Sequence, residues 1–355
     1  MRIIIDPRSN YSYSSFYLYG LKQLYGRSSI SFDLKPFLQL GEPRNNLRMK
    51  IIADTDTINV FIQTDDFNRV SSTDYDWCDI YGSVNANFKL CPQESYPKLL
   101  SLAPSFGIRN ELTLAQALWG GIIQFLQTWR YVIHRTEWNK TLEKEECDIY
   151  TNIKHFFYRR YKSWKHRLPL SAYSNDIQSE NNYIYFLSTL WYSDKYNRND
   201  ENVNLSRALF IRACQSIDTL SFEGGLVAER DSFNTTFQDV VIHQRTPFPV
   251  WLEKTKRSSL VFNTPAFWGC HGWKLGEYLA LGKCIISTPL INDLPHPLEH
   301  GINVHFVENT EQSMSEAIRF IISHPDYRHN LEWGARCYWE KYGAPLKSLE
   351  LLGIS

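Results

Sequence analysis

A short stretch in the second half of the chain combines glycines, a cation and a carboxylate. In FNTPAFWGCHGWKLGEYLALGKCIIST (262–288), Lys274 and Glu277 are three positions apart, so on a helix they would share one face. Gly272 stands at the start of this predicted helix and Gly282 just past its end, where glycine readily adopts a left-handed backbone. The pair is either an ordinary surface ion pair or part of a ligand site.

The position of this helix favours an anionic ligand. The helix, predicted over 273–281, leads directly into a buried strand at 284–288, so it begins at the sheet edge where α/β folds bind ligands. The free N–H groups and the dipole of a helix N-terminus suit phosphate. Lys274 would add a positive charge, and Glu277 could accept hydrogen bonds from two adjacent ribose hydroxyls. The turn before and into the helix adds His271, Gly272 and Trp273, of which the histidine could equally be structural.

Other polar residues in this half follow predicted strands. Ser188 and Thr189 end the strand at 183–189, and Asn263 and Thr264 end the strand at 258–265. Arg245 follows the apolar run DVVIHQ and could pair with phosphate through two hydrogen bonds. Each of these residues could contact the same ligand, or could simply cap a strand end or face solvent.

The first half offers candidate acids, bases and stacking groups. Asp6 follows the first predicted strand, and Asp65 and Asp66 follow the strand at 58–64. A carboxylate at such a position could deprotonate a hydroxyl, bind a hard cation or cap a helix. Tyr11 and Tyr13 lie in the polar segment PRSNYSYSS, which we predict to be a loop, and could stack on a sugar.

The alternation of strands and helices predicts an α/β fold with two facing, doubly wound, Rossmann-like domains. The first domain is expected at 1–165 and the second at 183–335, with a linker at 166–182. A C-terminal helix within 336–355 is expected to return to the first domain. Helices are predicted at 16–25, 112–133, 204–217 and 310–323, the second of them bent or divided at Gly120–Gly121.

Composition excludes several classes of protein. The chain has 38 basic and 38 acidic residues, which argues against binding a nucleic-acid backbone. The seven cysteines form no C-x-x-C pair and are typical of a reduced, cytoplasmic protein, and no apolar run reaches the length of a membrane span. The aromatic content of 15% fits a carbohydrate or nucleotide ligand, although a dense core explains it as well.

The segment GWKLGEYLALGKCIIST resembles the nucleotide-sugar loop and helix of GT-B glycosyltransferases, and LINDLPHPLEHGINVHFVE (290–308) resembles the segment that follows in them. The resemblance extends over 258–343. It implies that Glu277 binds the ribose of a nucleoside-diphosphate sugar and that Lys274 faces the diphosphate. It also implies transfer of a sugar to a hydroxyl, in surface glycan synthesis, without a metal or other cofactor. Many retaining members carry a second Glu where this chain has Gly269, so the two-carboxylate motif is incomplete.

Two alternatives stay open. One is a nucleotide- or glycan-binding protein that has lost catalysis, and the other is a sugar-nucleotide epimerase of the same fold. The basic, aromatic segment Lys154–Arg167 could contact anionic lipid head groups at the inner membrane face, since many such enzymes use lipid-linked acceptors. It could also bind nucleic acid, or be a solvated helix.

Overall fold

The computed structural model describes residues 1–53, 56–133, 154–174, 176–191, 200–228 and 235–355. The chain divides into two units after Ala172. The first unit comprises Met1–Ala172, Asp293–Pro295 and Tyr342–Ser355, and the second comprises Tyr173–Asn292 and His296–Lys341. Each unit contains strands and helices in alternation, which confirms the predicted α/β class.

The first unit is built on a six-stranded sheet. Its strands are β1 (Arg2–Ile5), β2 (Ile30–Phe32), β3 (Leu47–Ala53), β4 (Asp56–Gln63), β5 (Ile80–Ser83) and β6 (Leu99–Ser101). They lie in the order β2-β1-β3-β4-β5-β6. Strand β3 runs antiparallel to both of its neighbours, and the other pairs are parallel. The β3–β4 pair is a feature that the sequence pattern did not predict.

The helices of this unit that precede the second unit are α1 (Tyr11–Tyr25), α2 (Ser72–Trp77), α3 (Leu114–Ile133) and α4 (Arg159–His166). The prediction that α1 starts at Phe16 is wrong, because the Asn10 side chain caps the helix by accepting a hydrogen bond from Ser12 N (3.1 Å). The additional residues of α1 are polar, which is why the segment reads as a loop in the sequence.

Helix α3 is continuous through Gly120 and Gly121, so it is not divided there. A Cβ on Gly121 would lie 2.8 Å from Phe157 Cδ1 and 3.2 Å from the Phe156 carbonyl oxygen. The glycines therefore permit the segment 154–166 to approach α3. None of the described helices combines the length and the apolar content that a membrane span requires.

The second unit contains two three-stranded parallel sheets. One has the order β7-β8-β9, and the other β10-β11-β12. The strands are β7 (Tyr183–Thr189), β8 (Ser221–Val227), β9 (Val241–Ile242), β10 (Val261–Asn263), β11 (Ile285–Ser287) and β12 (His305–Phe306). Ser259 N donates to the Tyr183 carbonyl oxygen (2.7 Å), which places β7 beside the start of β10.

Five helices pack on these strands: α5 (Asp200–Gln215), α6 (Phe248–Arg257), α7 (Gly272–Leu281), α8 (Glu311–Ser323) and α9 (Pro325–Tyr338). The rings of Phe210 and Phe262 stack at a centroid distance of 4.4 Å, and Phe186 packs edge-on against both. This core joins α5, β7 and β10 and so fixes the ends of both strands relative to α5.

The last helix, α10 (Pro345–Leu351), belongs to the first unit. It packs against α1. Tyr25 Oη donates to the Ser355 carbonyl oxygen (2.9 Å), and Gly20 of α1 faces Leu349 and Pro345 at close range. The first unit is therefore completed by the end of the chain.

Candidate functional site

Strands β7 and β10 end in polar residues at neighbouring positions of the second unit. Ser188 is buried and Thr189 half-buried at the end of β7. Asn263 ends β10, and its Nδ2 donates to Ser287 Oγ (2.9 Å). Thr288 Oγ1 donates to Thr264 Oγ1 (2.9 Å). The structure thus brings Asn263 and Thr264 together with the end of β11, at the sheet edge where parallel α/β sheets bind ligands.

The turn before α7 has an unusual backbone. Trp268, Gly269 and Gly272 all have positive φ, of 51°, 76° and 66°. A non-glycine residue in this region carries strain, and such strain often occurs at binding sites. His271 is buried at the N-cap position and makes no side-chain capping hydrogen bond. The N–H groups at the start of α7 are therefore not capped by the His271 side chain.

Lys274 lies in the first turn of α7, and its ammonium group points to the end of β7. Its Nζ donates to the Leu187 carbonyl oxygen and lies 4.9 Å from the ring centroid of Phe186. Burial, together with the positive charge of Arg207, lowers the pKa of Lys274 to about 7, although Glu277 opposes the shift. A second cation is therefore close to Lys274.

Arg207 is a member of this site that the sequence analysis missed. It lies on α5, is buried, and donates from Nη1 to the Thr189 carbonyl oxygen (3.0 Å). Burial lowers its pKa to about 10, so it stays charged at neutral pH. Lys274 and Arg207 bond to carbonyl oxygens two positions apart on β7.

Glu277 is buried one turn after Lys274. Tyr173 Oη donates to its Oε1 at 3.4 Å. The side chains in and around the first turns of α7 thus include half-buried Lys274, buried Arg207 and one buried carboxylate. Two basic groups against one carboxylate, at a helix N-terminus whose N-cap side chain makes no capping hydrogen bond, suit an anion such as a diphosphate. Trp273 is half-buried beside them.

The remaining predicted ligand of this half, Arg245, is exposed between β9 and α6. It follows β9, as predicted, but that strand has only two residues.

The two candidate bases in the first unit differ in environment. Both oxygens of buried Asp6 are occupied: Arg8 Nη2 and Arg48 Nη1 approach Oδ2 at 2.7 and 2.8 Å, and Arg8 Nε donates to Oδ1 at 2.9 Å. Action as a base would require these bonds to break. Asp66 is exposed after β4. Burial raises the pKa of its neighbour Asp65, and the charge of Asp66 adds to this effect.

The two tyrosines predicted to lie in a loop are on α1. Tyr11 is buried, its hydroxyl donates to Glu111, and the Arg160 guanidinium lies 4.2 Å from the centroid of its ring. Tyr13 is half-buried. Stacking of Tyr11 on a sugar would compete with Arg160. Among the residues that the structure describes, no group of three His, Cys, Asp or Glu side chains is arranged to hold a metal ion.

Comparison with known proteins gives distant structural likenesses. No protein-family model matches the chain, and no curated protein matches it. The chain is similar to TarM (12% identity, TM-score 0.36), and the aligned region covers 50% of this chain and 36% of TarM. It is also similar to a glycosyltransferase from Rickettsia africae (12% identity, TM-score 0.35), covering 78% of this chain and 90% of that one.

A third likeness is to HepE from Anabaena, solved in complex with UDP-glucose (10% identity, TM-score 0.36). It covers 83% of this chain and 98% of HepE. At these identities and TM-scores, the activity of this chain has to be argued from its own residues.

Proposed function

We propose that the second unit binds a nucleoside-diphosphate sugar and that the protein transfers the sugar to a hydroxyl acceptor. The observation that carries this proposal is the pair of basic side chains, half-buried Lys274 and buried Arg207, beside the N-terminus of α7. Arg207 lowers the pKa of Lys274 even though Glu277 opposes the shift, so a further anion beside the two basic groups would be favourable. The diphosphate of the donor supplies that anion. Glu277, one helical turn after Lys274, could accept hydrogen bonds from the ribose.

The same groups would act in the reaction. The acceptor oxygen attacks the anomeric carbon, the bond from that carbon to the diphosphate oxygen breaks, and the acceptor proton passes to a base. Lys274, Arg207 and the α7 N-terminus would stabilise the charge that grows on the leaving diphosphate, so the proposed reaction needs no metal or other cofactor. Asp66 and Asp6 are the proposed bases. Ser188, Asn263 and Thr264 would contact the sugar or the nucleobase of the donor.

We further propose that the acceptor is a glycan or a lipid-linked glycan and that the product enters a surface polysaccharide. The protein would then work in the cytoplasm, and the basic segment Lys154–Arg167 would contact the inner face of the membrane. The cysteines Cys78, Cys91, Cys214, Cys270, Cys284 and Cys337 are free, which fits a reducing compartment.

Incubation with a panel of nucleoside-diphosphate sugars tests the function. Release of a nucleoside diphosphate together with a glycosylated acceptor is expected for one donor. Binding of a donor without turnover over a broad acceptor panel would favour the non-catalytic alternative, and a changed sugar on an intact nucleotide would identify an epimerase. Failure to bind any nucleotide sugar would contradict the proposal as a whole.

Substitution of Glu277 tests the ribose contact. Glu277→Gln should weaken donor binding about 10- to 100-fold, because charge-assisted hydrogen bonds contribute about 1.5–3 kcal/mol. Isothermal titration calorimetry measures the change. Glu316→Gln, at an exposed glutamate of α8, is the matched control and should bind as the wild type does. Unchanged affinity in correctly folded Glu277→Gln would rule out the ribose role.

A further inference from the structure

In the part of helix α3 whose side chains are described, two polar side chains are buried and most of the large apolar ones are exposed. Its buried face includes Gln124 and Thr128. Gln124 accepts hydrogen bonds from Arg160 Nε and Nη2 (3.2 and 3.0 Å) and donates to the Pro7 carbonyl oxygen (3.3 Å). An amphipathic helix of a globular protein normally has the opposite arrangement.

The outward side of α3, with Leu112 just before it, is a row of large apolar side chains. Trp119 is 61% exposed and Leu126 is 60% exposed. Positions 119, 122, 126 and 129 are separated by three or four residues, so they form one stripe along the helix. The exposed apolar residues are Leu112, Leu118, Trp119, Ile122, Ile123, Leu126 and Trp129. A contiguous apolar surface of this kind marks an interaction site.

Basic side chains are exposed on the described helix that packs against α3. Helix α4 packs against α3 and exposes Lys162, Lys165 and His166. Neither 112–133 nor 154–170 contains an Asp or a Glu. An apolar stripe on one helix and exposed lysines on the helix packed against it, with no acidic residue in either segment, are complementary to anionic lipid head groups above an acyl interior.

We infer that the exposed face of α3 and the lysines of α4 form a docking surface for an anionic phospholipid bilayer. The tryptophans and leucines would enter the boundary between head groups and acyl chains, and Lys162 and Lys165 would pair with lipid phosphates. This inference deepens the membrane contact of the proposed function. Because its test uses neither donor nor acceptor, it can fail while the transferase proposal stands.

Co-sedimentation of the full-length protein with vesicles tests the surface. The wild type is expected to bind vesicles of phosphatidylcholine with phosphatidylglycerol and to bind vesicles of phosphatidylcholine alone much less. The double substitution Trp119→Gln and Leu126→Gln should reduce the binding at least about tenfold, since each buried apolar side chain contributes strongly to partitioning. Trp333→Gln is the matched control, because Trp333 is a 71% exposed tryptophan on α9 of the second unit.

A second variant separates charge from apolar contact. Lys162→Glu with Lys165→Glu changes only exposed positions and should abolish the preference for phosphatidylglycerol. Wild-type protein that binds neither vesicle, or binds both equally, would overturn the inference, as would full binding by the Trp119 and Leu126 double variant. A concentration-dependent dimer that this variant abolishes, without vesicle binding by the wild type, would assign the surface to a second copy of the chain and also overturn the inference.

Discussion

Lys274 links the charge of the candidate site to pH. Burial and the neighbouring Arg207 lower its pKa to about 7, so the free protein has a mixture of charged and neutral lysine at neutral pH. A bound diphosphate would stabilise the charged form and raise the pKa. Because the bound form then has the higher pKa, ligand binding takes up a proton. The affinity for the diphosphate is therefore greatest below the pKa of Lys274 in the free protein and falls as the pH rises through that value.

We therefore expect the affinity for the donor's nucleoside diphosphate to fall from about pH 6 to about pH 9, on either side of the pKa of Lys274. Calorimetry in buffers of different ionisation enthalpy should show proton uptake near pH 8. Lys274→Met should bind more weakly and lose both effects. A pH-independent affinity in the wild type would show that Lys274 does not face the phosphates.

Arg207 provides a second test of the anion site, with a control on the same helix. Arg207→Met keeps the aliphatic stem but removes the buried charge, and it should weaken donor binding about 10- to 100-fold. Arg212 of α5 forms a partly exposed pair with Asp239, with Nε to Oδ2 at 2.6 Å, so Arg212→Met should leave affinity unchanged. Equal effects of the two substitutions, measured by calorimetry, would contradict a specific role for Arg207.

The sequence could identify Lys274 and Glu277 because a glycine turn, a helix start and a following strand are local signals. Arg207 belongs to the same candidate site but is far from Lys274 and Glu277 in sequence. Only the buried face of α5 indicates where its side chain lies. The helical spacing of Leu205, Leu209, Ile211, Cys214 and Ile217 predicts a buried face that includes Leu205, but Leu205 is 38% exposed. The buried stripe runs through Val203, Arg207, Phe210 and Cys214, and an arginine on such a stripe was the available signal.

At the scale of elements, the turn before α7 explains why the second carboxylate of the resembled family is absent. A Cβ on Gly269 would lie 3.0 Å from three side-chain atoms of Ile291, whereas a Cβ on Gly272 would meet only Ala266 at 4.0 Å. Both glycines have positive φ. A glutamate at position 269 would therefore be strained by its backbone and crowded by Ile291.

The two glycines make a matched pair. Gly272→Ala should lower the free energy of unfolding by about 1–2 kcal/mol, from backbone strain alone. Gly269→Ala should lower it by a further amount of about 1–3 kcal/mol, because the added methyl group also overpacks against Ile291. Urea denaturation measures both values. Equal losses would mean that Ile291 moves aside without penalty.

Other elements show what sequence periodicity can and cannot predict. Continuous apolar runs correctly marked β1, which is rich in isoleucine, and β7, which is rich in aromatic residues. Helix α6 was not predicted, although Pro247 precedes it, because lysines interrupt its apolar pattern. The strand order β1-β3-β4 is set by pairing between strands that are distant in sequence, so the local sequence pattern did not predict the β3–β4 pair.

At the scale of the whole molecule, the ends of the chain meet in one unit. Helix α10 follows the second unit in sequence yet packs on α1, and Gly20 provides the space. A Cβ at Gly20 would lie 2.8 Å from Leu349 Cδ1 and 3.1 Å from the Pro345 carbonyl oxygen. The stability of the first unit thus depends on contacts between residues far apart in sequence, such as Tyr25 and Ser355, which are 330 positions apart. The proposed donor site, in contrast, lies within the second unit.

This arrangement predicts that the two units respond differently to one substitution. Gly20→Val should force α10 away from α1 and lower the free energy of unfolding by about 1–3 kcal/mol, while the affinity for a nucleoside diphosphate should stay the same. Gly41→Val is the matched control, since no atom lies within 4 Å of its added Cβ. Thermal unfolding and calorimetry on the full-length protein measure the two properties. A loss of nucleotide affinity equal to the loss in a Lys274 variant would show that the donor site depends on the packing of α10, and an unchanged melting temperature would show that α10 does not stabilise the first unit.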